Sequence, residues 1–360
     1  EFRRVLFRSY RIKIKMENSY KKPDLKSLYF DQEVEKIPSL EGKTIAITGT
    51  TSGTGFIAAK TVAEKGAKTL LLNRKSDRSK ESYDLLMDTC SGADFVNVEC
   101  DLQSFSSVKK ASGIINHLCE DGLDVLCNNA GVMALKDQPT MDGFDIQMQT
   151  NHLSHFLLTK ELFLSLKKAE EKRSEARIVN HSSISRFGAK KLEAKYFEKR
   201  GGSLGGNGSN ILNKILLGMI LINARWYRYS QTKLANAAFT ACLHEKLQAK
   251  NSNIKALIAH PGLAITDLQS TTIKDGGMGS FMTGKMMGGG QTMEDGAIGI
   301  IKCIADPDAM SGDFYGPGSG KMDMKGPVVK FDLEELYDNR ETKDLLWNKS
   351  CEAIGQDFLI

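Results

Sequence analysis

From residue 43 onward the apolar positions of this chain fall into a repeating alternation. Short β-branched or Leu-rich runs at 44–47, 69–72, 95–99, 125–128, 177–180 and 255–259 read as strands. Each is followed by an amphipathic stretch with apolar residues at helical spacing: 55–65, 78–89, 106–118, 143–168, 229–249 and 293–305. Strand and helix in strict alternation predict an α/β fold, a doubly wound parallel sheet in a single domain. The expected core of that domain is 41–325. Residues 16–40 read as an N-terminal arm and 326–360 as a C-terminal helical extension.

Two segments break the rhythm. The insertion 187–226 runs from a charged piece through a Gly-rich stretch at 201–208 to an apolar stretch at 211–222. The other segment, 268–292, holds seven Gly and four Met and reads as a loop. Gly loosens backbone and Met gives an adaptable apolar lining, so both segments are expected near a roomy substrate pocket. Residues 215–222 are expected either to meet a membrane surface or to serve as a lid.

Composition narrows the partners. Hydrophobic residues make up 41% of 360, ample for a packed core. The formal charge of +5 is matched by residues 1–15 alone, where six Lys/Arg meet one Glu, so the rest is balanced and points to no nucleic-acid partner. That basic stretch begins without Met and reads as a non-native or disordered segment, with Met16 a natural start. Seven cysteines without CxxC spacing argue against a disulfide framework or a zinc site, and for the cytoplasm or another reducing compartment. No apolar run approaches the ~20 residues that span a bilayer.

The first candidate chemistry lies in Thr48-Gly49-Thr50-Thr51-Ser52-Gly53-Thr54-Gly55, between the first strand and the first helix. Glycines there let the backbone turn tightly and approach a phosphate, while the helix amino terminus offers unpaired N–H donors and partial positive charge. This strand-turn-helix context predicts a dinucleotide seat in a Rossmann fold. At the end of the second strand an NAD-preferring site would carry an acid; here Asn73, Arg74 and Lys75 stand there, and the two cations suit a 2′-phosphate. NADP(H) is therefore expected over NAD(H). Asp101-Leu102 and Asn128-Asn129-Ala130-Gly131 close the third and fourth strands, where ligands of open sheets bind. Asp101 is suited to the adenine amino group, and Ala130 and Gly131 to close approach by the ribose.

The second candidate is Tyr229-Ser230-Gln231-Thr232-Lys233 at the start of the fifth long helix. Positions four apart share a helix face, so Lys233 stands beneath Tyr229. A cation about 4 Å away at an effective dielectric of ~20 is worth ~4 kcal/mol, enough to lower a phenol's pKa by about three units. Tyr229 is thus the expected proton donor. Ser183, at the end of the fifth strand, is expected to hold the substrate oxygen, with Ser182 facing away. Asn151 could hold a water linking Lys233 to solvent.

As a set, TGTTSGTG, NNAG, Asn151, Ser183, YSQTK and His260-Pro261-Gly262 with Thr266 resemble the short-chain dehydrogenase/reductase family over about residues 40–320. NNAGVM, TNHLSHFLLT, RIVNHSS and KLAN are similar to its retinol-dehydrogenase-like branch. The resemblance implies an oxidoreductase moving hydride between NADP(H) and a carbonyl or alcohol of an apolar substrate. It also implies that Lys233 binds the nicotinamide ribose, that Pro261, Gly262 and Thr266 meet the nicotinamide end, and that Asn151 completes a proton relay. Protochlorophyllide reductases look similar and also carry an insertion ahead of the Tyr, which keeps light-driven reduction as an alternative. A non-catalytic NADP(H)-binding redox sensor is the rival from another class. Three departures stand out: Ser154 for a usual Gly, His181 for a usual apolar residue, and a separation of 46 residues between Ser183 and Tyr229.

Overall fold

The computed structural model describes residues 22–207, 224–319 and 324–360. The expectations for residues 1–15 and 215–222 lie outside these. Eight strands form one sheet in the order β3-β2-β1-β4-β5-β6-β7-β8. They are β1 Thr44–Thr48, β2 Lys68–Asn73, β3 Phe95–Glu99, β4 Val125–Asn128, β5 Ala176–His181, β6 Ile254–Ala259, β7 Phe314–Ser319 and β8 Lys325–Phe331. Pairing is parallel through β7, and β8 returns antiparallel. The six strands read from the sequence are all present, and the fold is a Rossmann-like doubly wound sheet in a single domain.

The helices are α1 Phe30–Glu35, α2 Gly53–Glu64, α3 Asp77–Thr89, α4 Phe105–Leu118 and α5 Ser154–Arg173. After them come α6 Ala224–Ala249, α7 Asp267–Lys274, α8 Ser280–Met287, α9 Met293–Ala305 and α10 Arg340–Ile354. A sheet buried on both faces needs two apolar layers. On one face Ile45, Ile47, Val62 and Ile300 join β1, α2 and α9; on the other Leu70, Leu126, Phe156 and Phe239 join the sheet to α5 and α6. Complete burial of Ile45 and Ile47 stabilises by about 1.5–3 kcal/mol each.

Four boundaries differ from the sequence reading, each for a local reason. The helix expected over 143–168 begins at Ile146, because Gly143 has φ +90° and Asp145 accepts a hydrogen bond from Met148 N at 3.1 Å as its cap. It then passes through a π-turn, Gln149–Leu153, and runs on to Arg173. The fifth long helix is already helical at Ala224, the first residue described after the break and one turn ahead of Tyr229. In the supposed loop 268–292, Thr266 and Gln269 form a capping box that starts α7, and α8 follows. Residues 326–360, expected to be helical, open with β8, which pairs with β7 through Phe314↔Phe331. Within the insertion, Tyr196 and Phe197 are buried, and Asp137 accepts from the N–H groups of Gly202 (2.7 Å) and Gly205 (2.8 Å) and from Leu204 N. Those bonds fasten its Gly-rich stretch to the body.

Candidate active site

Strand order reverses between β1 and β4, and the crevice outside their carboxyl ends is where an open α/β sheet accepts ligands. A cleft of about 850 Å³ opens there. At one end of it the Gly-rich turn forms the floor. Gly49 and Gly53 have φ +73° and +61°, conformations that disfavour a side chain, and a Cβ on Gly49 would lie 2.8 Å from Ala130. Ser52 occupies the N-cap of α2 without capping it by its side chain, which leaves the N–H groups of that helix terminus for a phosphate. These features fit a dinucleotide pyrophosphate.

Of the expected nucleotide residues, Gly49, Thr51, Ser52, Gly53, Thr54, Asn73, Arg74, Asp101, Leu102, Ala130 and Gly131 line the cleft. Three do not. Gly55 lies behind the turn, where a Cβ would meet Asn129 Nδ2 at 2.3 Å, so its role is close packing of helix on strand. Lys75 is exposed outside the wall. Asn128 points into the opposite core layer and donates to Thr159 Oγ1 (3.1 Å) and Asn180 Oδ1 (2.9 Å), because alternate strand residues face opposite ways. Asn73 is partly structural, with Oδ1 accepting from Thr50 N at 2.9 Å and Nδ2 donating to Thr50 Oγ1 at 2.7 Å.

The neighbouring Asn129 is a residue the sequence reading passed over. Its Oδ1 accepts from Thr54 Oγ1 (3.2 Å) and bonds the His181 ring at Nδ1 (2.9 Å), while Nδ2 donates to Thr48 O (2.8 Å) and Gly49 O (3.2 Å). It joins the Gly-rich turn to β5. Arg78 was missed too: it lines the cleft from the first turn of α3 and donates to Ser52 Oγ and, at 2.6 Å, to Asp267 Oδ2. Its signal was available, since Ser76 caps α3 and Arg78 follows it by two residues, close behind the end of β2.

At the far end of the cleft Ser183, Tyr229 and Lys233 share one wall. β5 ends at His181 and α6 carries Tyr229 and Lys233 on one face. Ser182 Oγ is spent on the Lys233 carbonyl at 2.8 Å, so Ser183 is the serine that faces the cleft, hydrogen-bonded to Tyr229. Lys233 Nζ donates to His181 O at 2.9 Å. A Cβ on Gly131 would stand 3.3 Å from Asn151 Oδ1 and 3.6 Å from Lys233 Nζ, which shows how closely these groups converge. Asn151 itself is fully buried behind the wall. Its Oδ1 accepts from Val132 N at 2.8 Å, and both Nδ2 donors are taken, by Val132 O and Thr232 Oγ1 at 2.9 Å each. The side-chain amide is thus spent on Val132 and Thr232, and the main-chain carbonyl is approached by His155 Nδ1 at 3.0 Å. Pro261, Gly262 and Thr266 line the cleft opposite, and Thr266 would touch a Cβ on Gly53 at about 3.0 Å.

Electrostatics correct the expectation for the phenol. Burial pushes the Tyr229 hydroxyl up to about 12, with the Ser183 bond pulling the other way. Burial also brings the Lys233 ammonium down to about 8. The ammonium lies 5.8 Å from the Tyr229 ring centroid and aims at a carbonyl, so desolvation outweighs its attraction for a phenolate. A phenol held up in this way stays protonated, as a proton donor must.

Around this cluster the wall is apolar: Met133, Phe187, Trp226, Leu268, Met278 and Met286. Trp226 packs edge-on to Tyr229 at 5.9 Å and donates from its indole to Gly277 O at 3.1 Å, tying α6 to the segment between α7 and α8. Its spacing of three residues before Tyr229 places it on the same helix face, a signal the sequence offered. Ser154, one of the noted departures, donates to Leu102 O at 2.6 Å and so links α5 to the segment that follows β3.

Comparison with known proteins accords with this geometry. The family model described as short chain dehydrogenase matches residues 43–197. An uncharacterized oxidoreductase of Schizosaccharomyces pombe is 32% identical over 64% of this chain, and the chain spans 63% of that relative's length, under two thirds. Human retinol dehydrogenase 12 is 27% identical over 88% of this chain and 87% of its own length. The crystal structure of an uncharacterized protein from Mycobacterium paratuberculosis superposes with a TM-score of 0.67 at 26% identity, covering 91% of this chain and 98% of that one. By sequence, fold and the placement of its motifs, the chain is similar to the short-chain dehydrogenase/reductase family and, within it, to the retinol dehydrogenases.

Proposed function

We propose that the protein is an NADP(H)-dependent oxidoreductase acting on the carbonyl or alcohol group of an apolar substrate. One observation carries this: Ser183, Tyr229 and Lys233 stand in the same cleft as the uncapped terminus of α2 and Arg74. When bound, the nicotinamide supplies or accepts the hydride. Ser183 holds the substrate oxygen, and Tyr229 gives or takes the proton at that oxygen. Lys233, fixed by the His181 carbonyl, orients the ribose. Arg74 and Arg78, with no carboxylate at the end of β2, favour the 2′-phosphate of NADP(H). The Met-rich wall and Trp226 exclude water and suit a flexible apolar body, in keeping with the alcohol named for retinol dehydrogenase 12.

The test follows NADPH absorbance over a panel of retinoid, steroid, quinone and aliphatic carbonyls. Turnover with NADPH ahead of NADH is expected for an apolar member. Tyr229→Phe should lower kcat by ~10²–10⁴ while NADPH binding persists. An unchanged kcat in that variant refutes the reading.

A further inference from the structure

The turn that presents Ser183 is tied to a distant part of the chain by one buried cation. Ser183 opens a short 3₁₀ turn, Ile184–Gly188, and its hydroxyl accepts from Ser185 N at 3.2 Å, so the direction of the hydroxyl follows the turn. The Ser183 carbonyl accepts twice from Arg186, from the main-chain N at 3.0 Å and from Nη1 at 3.2 Å. The rest of the guanidinium is gripped by Glu334, just beyond β8: Nε donates to Oε2 at 2.9 Å and Nη2 to Oε1. The ring of Phe187 lies 4.2 Å from the guanidinium carbon and that of Phe314, on β7, 4.7 Å away. Arg186 is 3% exposed, while Phe187 lines the substrate end of the cleft.

A guanidinium is costly to bury unless its charge and its donors are matched. If the contact only joined the β7–β8 hairpin to the body, apolar side chains packed on Phe314 would serve as well or better. What a guanidinium adds is direction. Its planar fork engages a carboxylate on one edge while the remaining amine reaches the Ser183 carbonyl, and its faces fix two rings. We propose that Arg186, held by Glu334, is a positioning residue that sets the Ser183 hydroxyl against Tyr229 and the substrate oxygen, so that the C-terminal hairpin governs the geometry of the reacting centre. The proposal rests on the carbonyl–alcohol chemistry given above for that centre.

Two measurements on the full chain described test it. The first is a double-mutant cycle of Ser183→Ala and Arg186→Met. Arg186→Met alone should lower kcat about 10- to 100-fold, the scale of a misplacement near 1 Å, with the KM for NADPH unchanged within about twofold. In the Ser183→Ala background the same change should cost less than about twofold, because a residue acting through Ser183 has nothing left to act on. Equal losses in both backgrounds overturn the proposal. The second is amide hydrogen exchange of Glu334→Gln without substrate, which remains informative if Arg186→Met does not fold. Protection across 183–188 should fall while that of 49–55 stays. Unchanged protection across 183–188 overturns the clamp, whereas a fall in protection in a protein that reduces no carbonyl sinks only the functional reading.

Discussion

Replacing Lys233 by Met should make the ligand-free protein more stable while abolishing its turnover. Burial brings the ammonium from its ordinary 10.5 to about 8, and at about 1.4 kcal/mol per pH unit this is a cost of about 3 kcal/mol for holding the charge at neutral pH. Met removes the charge and fills similar volume. The Lys233 hydrogen bond is lost at about 1 kcal/mol. Its acceptor, the His181 carbonyl, is still served by Asn236 Nδ2 at 3.1 Å and is not orphaned. The net gain at pH 7 is about 2 kcal/mol by this reckoning. The sign with pH follows from proton counting. The folded value lies below the unfolded one, so between about 8 and 10.5 the unfolded chain binds more protons and wild-type stability rises with pH. Below about 8 both states are charged and the cost is constant. Denaturant midpoints of the two proteins at pH 7, 8, 9 and 10 measure this, and the difference between them cancels every other titration. The advantage of Lys233→Met should be full at pH 7 and close as the pH nears 10.5. A variant less stable at pH 7, or a difference that does not change with pH, refutes the argument.

Other consequences follow from charges elsewhere. Arg74→Glu should raise the KM for NADPH far more than that for NADH, read from initial rates with each; equal effects would remove Arg74 from nucleotide selection. Asp145 and Arg228, both 1% exposed, form an ion pair that fastens α6 to the turn leading into α5, although burial itself pushes the Asp145 carboxyl up. Asp145→Asn should therefore destabilise the fold by about 3–5 kcal/mol, and Asp145→Leu with Arg228→Met should recover most of it, as measured by urea unfolding.

The sheet was legible because each of its first six strands holds a run of β-branched or Leu residues bounded by turn formers. β7, Phe-Tyr-Gly-Pro-Gly-Ser, carries no such run: the strand exists because β6 and β8 flank it, a tertiary cause that local pattern does not record. α7 and α8 lay hidden in a stretch of Gly and Met, and only the Thr266–Gln269 capping box announced the first of them. In the site, motif spacing located Ser183, Tyr229 and Lys233. It misjudged Asn128 against Asn129, since which of two adjacent residues faces the cleft depends on where the strand ends. It also overstated the pull of Lys233 on the phenol, because a sequence shows the helical spacing of two groups but not the water each has lost.

The Asn129 carboxamide spends one oxygen and one nitrogen on four partners drawn from β1, the Gly-rich turn, α2 and His181. Nucleotide seat and reacting strand are thereby a single rigid casting and not two modules. A chimaera that imports β5 from a similar protein would have to bring a residue at 181 able to bond the Asn129 amide oxygen. An apolar residue there would leave that oxygen with the Thr54 hydroxyl alone of these two partners, so a crossover between β4 and β5 weakens the joint.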